Sequence, residues 1–166
     1  MRTGVRLGID VGKARVGVAR CDLHGMLATP VETVPRDLGG ESAFLRIAEI
    51  SAELDAFEVV VGLPLNLRGE RTPSTDDAVE FAEHPARRIA PTGVAVRLVD
   101  ERLSTVSAQG QLRQAGKKTK QSRGIIDQAA AIVILQHALD IERARGEAAG
   151  SVVEMHGGAP EGGTPE

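Results

Sequence analysis

Seven residues near the start of the chain, Val5-Arg6-Leu7-Gly8-Ile9-Asp10-Val11, constrain the fold more than any other part of it. They read as a short apolar strand that delivers a carboxylate to its end. The next three residues, Gly12-Lys13-Ala14, have the small, glycine-led character of a turn, and Arg15–Cys21 reads as a second strand. A carboxylate at the end of a core strand is costly unless something charged meets it. Two other acids sit in similar apolar settings. Glu101 follows Val96-Arg97-Leu98-Val99-Asp100, and Asp127 heads Gln128-Ala129-Ala130-Ala131-Ile132-Val133.

The remaining pattern places these acids in an architecture. Asp22-Leu23-His24-Gly25 is a turn, and a third strand is predicted over Met26–Val34. Helical spacing of Phe44, Ile47, Ala48, Ile50, Ser51 and Leu54 follows a loop at Arg36–Gly40. Glu58–Val61 is a short buried strand ending in Gly62-Leu63-Pro64, and Asn66–Thr72 is a polar loop. Pro73 with Ser74 or Thr75 starts a helix expected to reach about Ala90, with a break near His84-Pro85, because an interior proline costs roughly 3 kcal/mol. Val94–Val99 is the last strand. A helix is predicted over Ser104–Ala115, a basic loop over Gly116–Gly124 and a final helix over Ile125–Arg143.

The order βββ-α-β-α-β-α-α predicts one α/β domain over residues 1–145. Its mixed sheet has five strands: an antiparallel meander of strands 1–3, then strands 4 and 5 parallel to strand 1, with helices on both faces. Asp10, Gly62 and Glu101 then share the carboxyl edge of three strands, where open α/β sheets bind ligands. The segment 146–166, rich in Gly, Ala and Glu and without Lys or Arg, is expected to be a disordered acidic tail.

Each acid also has an ordinary explanation. Asp10 suits a turn, Glu101 could pair with Arg102, and Asp127 could cap the last helix. Together they weaken those explanations, because clustered carboxylates repel and call for a cation. With oxygen ligands only, and His24, His84, His137 and His156 in no ligating pattern, that cation is Mg²⁺ or Mn²⁺ rather than zinc. A carboxylate-held divalent ion beside basic residues suits phosphodiester hydrolysis.

Charge and aromatic content narrow the partner. The net charge of −3 belongs to the acidic tail, and Arg97–Arg123 holds seven basic residues against two acids, a local charge of +5. Such a cluster can hold a polyanion by phosphate contacts. With no Trp or Tyr and only Phe44, Phe57 and Phe81, the chain has few rings on which to stack bases, so it should read nucleic-acid backbone and shape. Lys13, Arg15 and Arg102 are candidates for phosphate contact or for structural salt bridges. Lys117, Lys118, Lys120 and Arg123 are candidates for backbone contact, and Asn66 either bonds a phosphate or fixes its own loop. No run approaches the roughly 20 apolar residues of a membrane span. The single cysteine, Cys21, excludes an internal disulfide, and the expected setting is cytoplasmic. Monomer and homodimer are both compatible, with Cys21 as a buried side chain or an intermolecular cross-link.

Four segments resemble the signatures of the YqgF/RuvX family. They are Leu7-Gly8-Ile9-Asp10-Val11-Gly12 with Arg15-Val16-Gly17-Val18-Ala19, Val61-Gly62-Leu63-Pro64-Leu65-Asn66, Asp100-Glu101-Arg102-Leu103-Ser104-Thr105, and Asp127-Gln128-Ala129-Ala130-Ala131. The resemblance spans about Val5 to Leu139. It implies a ribonuclease H-like fold, with Holliday-junction resolution or pre-16S rRNA 5′-end processing as the activity. It implies that Asp10, Glu101 and Asp127 are the catalytic, metal-binding acids, with the Gly62-Leu63-Pro64 loop beside them. Related resolvases outside the family often carry a fourth acid where this chain has Ala130. The expected function is a divalent-metal-dependent endonuclease for structured RNA or branched DNA. The alternatives are a non-catalytic nucleic-acid-binding module and a sugar-kinase-like phosphotransferase, which would need a second lobe.

Overall fold

The computed structural model describes residues 2–36, 41–66, 68–89, 94–100 and 123–153, with residues 85–89 and 123–127 described by backbone alone. The elements are β1 (Val5–Val11), β2 (Arg15–Cys21), β3 (Ala28–Pro35), α1 (Ser42–Glu53), β4 (Ala56–Leu63), α2 (Pro73–Ile89), β5 (Ala95–Asp100), α3 (Arg123–Arg145) and β6 (Ser151–Val152). They form one sheet in the order β3-β2-β1-β4-β5-β6. β1 is antiparallel to β2 and parallel to β4, and β4 is parallel to β5, as the meander-then-βα pattern predicts.

Alternation along β1 splits the core into two. Val5, Leu7 and Ile9 point to the face covered by α1 and α2, where they meet Ile47, Ile50 and Phe81. Arg6, Gly8 and Asp10 point to the opposite face, which α3 covers. There Ala131, Ile134, Leu135 and Leu139 pack with Ala19, Val60 and Val99. Gly8 is what lets α3 lie directly on β1. A β-carbon at residue 8 would stand 2.6 Å from Leu135 Cβ and 2.9 Å from the Ala131 carbonyl oxygen.

Polar side chains of α3 tie the helix to the meander. Gln136 accepts from the Ala28 amide and donates to the Met26 carbonyl, and Arg143 donates to the Gly25 carbonyl. At the amino end of β1, Arg2 and Arg6 meet Glu58 and Glu142. Arg6, Glu58 and Glu142 are buried, and the Arg2 and Arg6 guanidinium groups lie over the Phe57 ring. Hydrogen bonds from Arg2, aided by the Arg6 charge, hold the Glu142 carboxyl down at about 2, and the same carboxylates raise Arg2 further.

Several boundaries differ from the sequence expectation, each for a local reason. β3 starts at Ala28 rather than Met26, because Asp22 Oδ1 accepts from the amides of Met26 and Leu27 and keeps both in the turn. α2 runs through Pro85 to Ile89 without the expected break. The proline deletes one main-chain donor, while Ala78, Phe81 and Ala82 of the preceding turns are buried and hold the helix. Its start is as expected, with Pro73 first. The Thr72 amide donates to Thr75 Oγ1, and the Thr75 hydroxyl reaches the Pro64 carbonyl.

The sheet has six strands where five were expected, because residues 151–152 add an antiparallel edge to β5. Part of the expected disordered tail is therefore ordered. Arg97 donates to the Ala149 and Gly150 carbonyls, and Ala149 and Val153 are buried. The helix predicted over Ser104–Ala115, most of the Gly116–Gly124 loop and residues 154–166 lie outside the described residues. Cys21 is fully buried and its Sγ accepts from the Arg6 amide, which leaves no exposed thiol for an intermolecular cross-link.

Candidate active site

Asp10 lies one residue before the end of β1, partly buried, on the face that α3 covers. Its row runs across three strands: Asp10 pairs with Gly17 of β2, and Gly17 pairs with Thr33 of β3. On the other side Ile9 pairs with Val61, so the same register carries Asp10 to the level of Gly62, which pairs with Val99. Glycine thus flanks the carboxylate on β2 and, at its level, on β4. No neighbouring side chain rises from those two positions.

The direction of α3 brings its beginning to this row. Arg6 at the amino end of β1 bonds Glu142, Gly8 meets Leu135 and Ala131, and Gln128 Nε2 donates to Thr33 Oγ1 at 3.1 Å. The helix therefore runs antiparallel to β1. From Gly8 to Asp10 the strand advances about 7 Å, and from Ala131 back to Asp127 the helix advances about 6 Å. Backbone geometry thus sets residue 127 at the level of Asp10, beside the Gln128 that grips the same row.

Glu101 lies outside the described residues. It follows in sequence directly after Asp100, the last residue of β5 and the partner of Leu63. Among the described residues there is no group of three His, Cys, Asp or Glu side chains set to hold a metal ion. Glu101 and the Asp127 carboxylate are not among those residues. The donor chemistry that is described, a half-buried carboxylate at a strand end, suits a hard divalent cation bound by oxygen.

The candidate phosphate ligands divide. Lys13 is exposed in the tight turn after β1, where the Gly12 amide donates to the Arg15 carbonyl and a β-carbon on residue 12 would stand 2.7 Å from that oxygen. Arg15 is partly buried and already engaged. Asn66 is spent on its own loop: its Oδ1 accepts from the amides of Arg68 and Glu70, and its Nδ2 donates to Glu70 Oε1. Arg123 opens α3, and Arg102, Lys117, Lys118 and Lys120 lie outside the described residues.

Two residues absent from the sequence expectations shape this edge. One is Gln128, whose motif was recognised but whose bond to Thr33 crosses 95 residues of chain. The other is Arg36, which donates to the Gly12 carbonyl and to both oxygens of Asp77. No local signal distinguishes Arg36 from any loop arginine.

A central antiparallel meander, parallel strands beyond it and a helix crossing the face that bears the strand-end acid define a ribonuclease H-like α/β fold. Among solved structures, Thermus thermophilus RuvC in complex with a Holliday junction superposes with a TM-score of 0.58 over 90% of this chain and 99% of that one, at 15% identity. A second T. thermophilus RuvC structure gives 0.54 at 16% identity, over 88% and 99%. At such identity the likeness is one of fold.

The family profile described as "RuvX: Holliday junction resolvase" matches residues 4–141, and the chain belongs to that family. It is accordingly an enzyme of the nuclease class, a hydrolase. A protein of Clavibacter sepedonicus is 58% identical over 154 residues, covering 92% of this chain and 93% of its own. One from Streptomyces coelicolor is 51% identical over 156 residues, covering 93% and 91%. Both carry the name "Putative pre-16S rRNA nuclease".

Proposed function

We propose that the chain is a divalent-metal-dependent endonuclease that trims the 5′ end of pre-16S rRNA, with Asp10, Glu101 and Asp127 as its catalytic acids. The observation that supports this reading is the seating of α3: Gly8 beneath Ala131 and Leu135, and Gln128 on Thr33, align the helix's first turns with Asp10. Three carboxylates brought together repel one another unless protonated or met by a cation, and oxygen donors suit Mg²⁺ or Mn²⁺. When bound, the ion would supply an activated water and charge stabilisation of the leaving oxygen. The protein's part is to hold carboxylates at fixed separation and to seat the substrate backbone through Lys13 and the basic segment. The choice of RNA over a DNA junction rests on the names of relatives at 51–58% identity, whereas the junction-bound neighbour shares only the fold.

The test is cleavage of a 5′-extended 16S precursor fragment and of a four-way DNA junction, side by side, with Mg²⁺, with Mn²⁺ and with EDTA. Precursor cleavage should require the metal and vanish in Asp10→Asn while binding survives. Equal cleavage by Asp10→Asn, Glu101→Gln, Asp127→Asn and wild type would refute the metal-site reading. Cleavage of the junction alone would refute the substrate.

A further inference from the structure

Arg36 follows β3 by one residue and joins the turn that begins two residues after Asp10 to Asp77 of α2. Its amide donates to the Ala14 carbonyl at 2.9 Å. Nη1 donates to the Gly12 carbonyl at 2.7 Å and to Asp77 Oδ2 at 2.8 Å, and Nη2 donates to Asp77 Oδ1 at 3.1 Å. The guanidinium lies over the Phe81 ring, 5.0 Å from its centroid, and the side chain is 13% exposed. The carbonyls on either side of Lys13 are thus both tied to one residue, which is itself anchored to α2.

This is more restraint than a surface turn requires. The Gly12 amide already closes the hairpin on Arg15, and exposed turns ordinarily leave their carbonyls to water. The Arg36 charge is matched in a two-pronged pair with Asp77 and shielded by Phe81, so it offers little to an incoming anion. What the arrangement holds still is the backbone of Lys13, whose side chain is exposed beside the Asp10 row.

Building on the nuclease reading above, we propose that Arg36 is a positioning residue. Held on Asp77 and Phe81, it fixes the Gly12–Arg15 turn so that Lys13 meets a phosphate of the bound nucleic acid next to Asp10. Arg36 acts on the substrate only through that turn, and Lys13 makes the contact.

The experiment has two arms. In the first, amide exchange in the unliganded protein is compared between wild type and Arg36→Met, which keeps an apolar stem on Phe81. Exchange at the Arg36-position and Gly12 amides should quicken with little change at Leu7 or Val59. Unchanged exchange would overturn the proposal without touching the nuclease reading.

In the second arm, binding of a labelled precursor RNA is measured on the Asp10→Asn background for Lys13→Met, Arg36→Met and the pair. Each single change should weaken binding roughly tenfold and lower the salt slope by about one, and the pair should do no more than either alone. Additive losses would overturn the proposal, because Arg36 would then act independently of Lys13. Arg36→Met/Asp77→Asn keeps the net charge and should bind as poorly as Arg36→Met; recovery would assign the loss to the unpaired Asp77 and overturn the proposal. Failure of the Lys13- and Arg36-containing protein to bind or cut either nucleic acid would instead refute the nuclease reading, and the phosphate role with it.

Discussion

Gly8→Ala isolates the contact on which the site depends. The new β-carbon would lie 2.6 Å from Leu135 Cβ and 2.9 Å from the Ala131 carbonyl oxygen, where ordinary carbon contacts are about 3.5–4.0 Å. Neither neighbour can rotate away, since one is a β-carbon and the other is main chain. α3 must therefore withdraw from β1 by roughly 1 Å. Against this stands the usual benefit of replacing a strand glycine, about 0.4–1 kcal/mol through the unfolded chain. Overpacking of a tight core costs about 1–3 kcal/mol, so the clash should win by about 1–2 kcal/mol. For a chain of this length that lowers Tm by roughly 2–8 °C.

The functional consequence should be larger. A 1 Å misplacement can cost as much as ~100-fold in rate, because α3 carries Asp127 and Gln128 past Asp10. The assay pairs a thermal melt with metal-dependent cleavage. Gly146→Ala serves as the contrast, since a β-carbon there meets nothing within 4 Å and only its φ of 76° is strained. Gly146→Ala should lose stability alone. An unchanged or raised Tm in Gly8→Ala, or full cleavage with a lowered Tm, would refute the reasoning.

Two further outcomes follow from the same geometry. Gln128→Ala removes the 3.1 Å bond to Thr33, costs at most about 1.5 kcal/mol in urea unfolding, and should lower kcat several-fold; an unaltered kcat would show that the bond does not align the site. The buried Glu142 carboxyl, lowered to about 2 by Arg2 and Arg6, contributes stability that is fully present above its unfolded value near 4.5 and is lost as pH falls through about 2. The loss should approach about 3 kcal/mol across that window. In Glu142→Gln the unfolding free energy from urea titration should already be lower at neutral pH, by about 3 kcal/mol or more, with a flatter acid dependence; a parallel acid profile would contradict the assignment.

Asp10 at the end of β1, the hairpin that follows it, the parallel placement of β4 and β5, and the helix bearing Asp127 were all legible in the amino-acid order. They are expressed in short-range signals: apolar runs, turn glycines and an uninterrupted helical stretch. Local signals misjudged Pro85, where packing of Phe81 and Ala82 outweighs one missing donor, and the segment after Arg145, where Arg97 gathers the Ala149 and Gly150 carbonyls. A proline's cost and a glycine-rich composition are properties of the isolated segment, whereas the compensating contacts come from other elements.

Sequence alone therefore determined that Asp10 stands at a strand end and what kind of sheet that strand belongs to, because periodicity and turn chemistry act over a few residues. Only the tertiary structure decided how those ends are set against one another. Nothing local to Gly8 marks it as the residue on which Ala131 and Leu135 of α3 rest. Gln128 and Thr33, Arg36 and Asp77, and Arg2 and Glu142 are separated by 95, 41 and 140 residues, and nothing local couples them. Such pairs arise when a strand's two faces are covered by different helices, a choice made by packing the whole sheet at once.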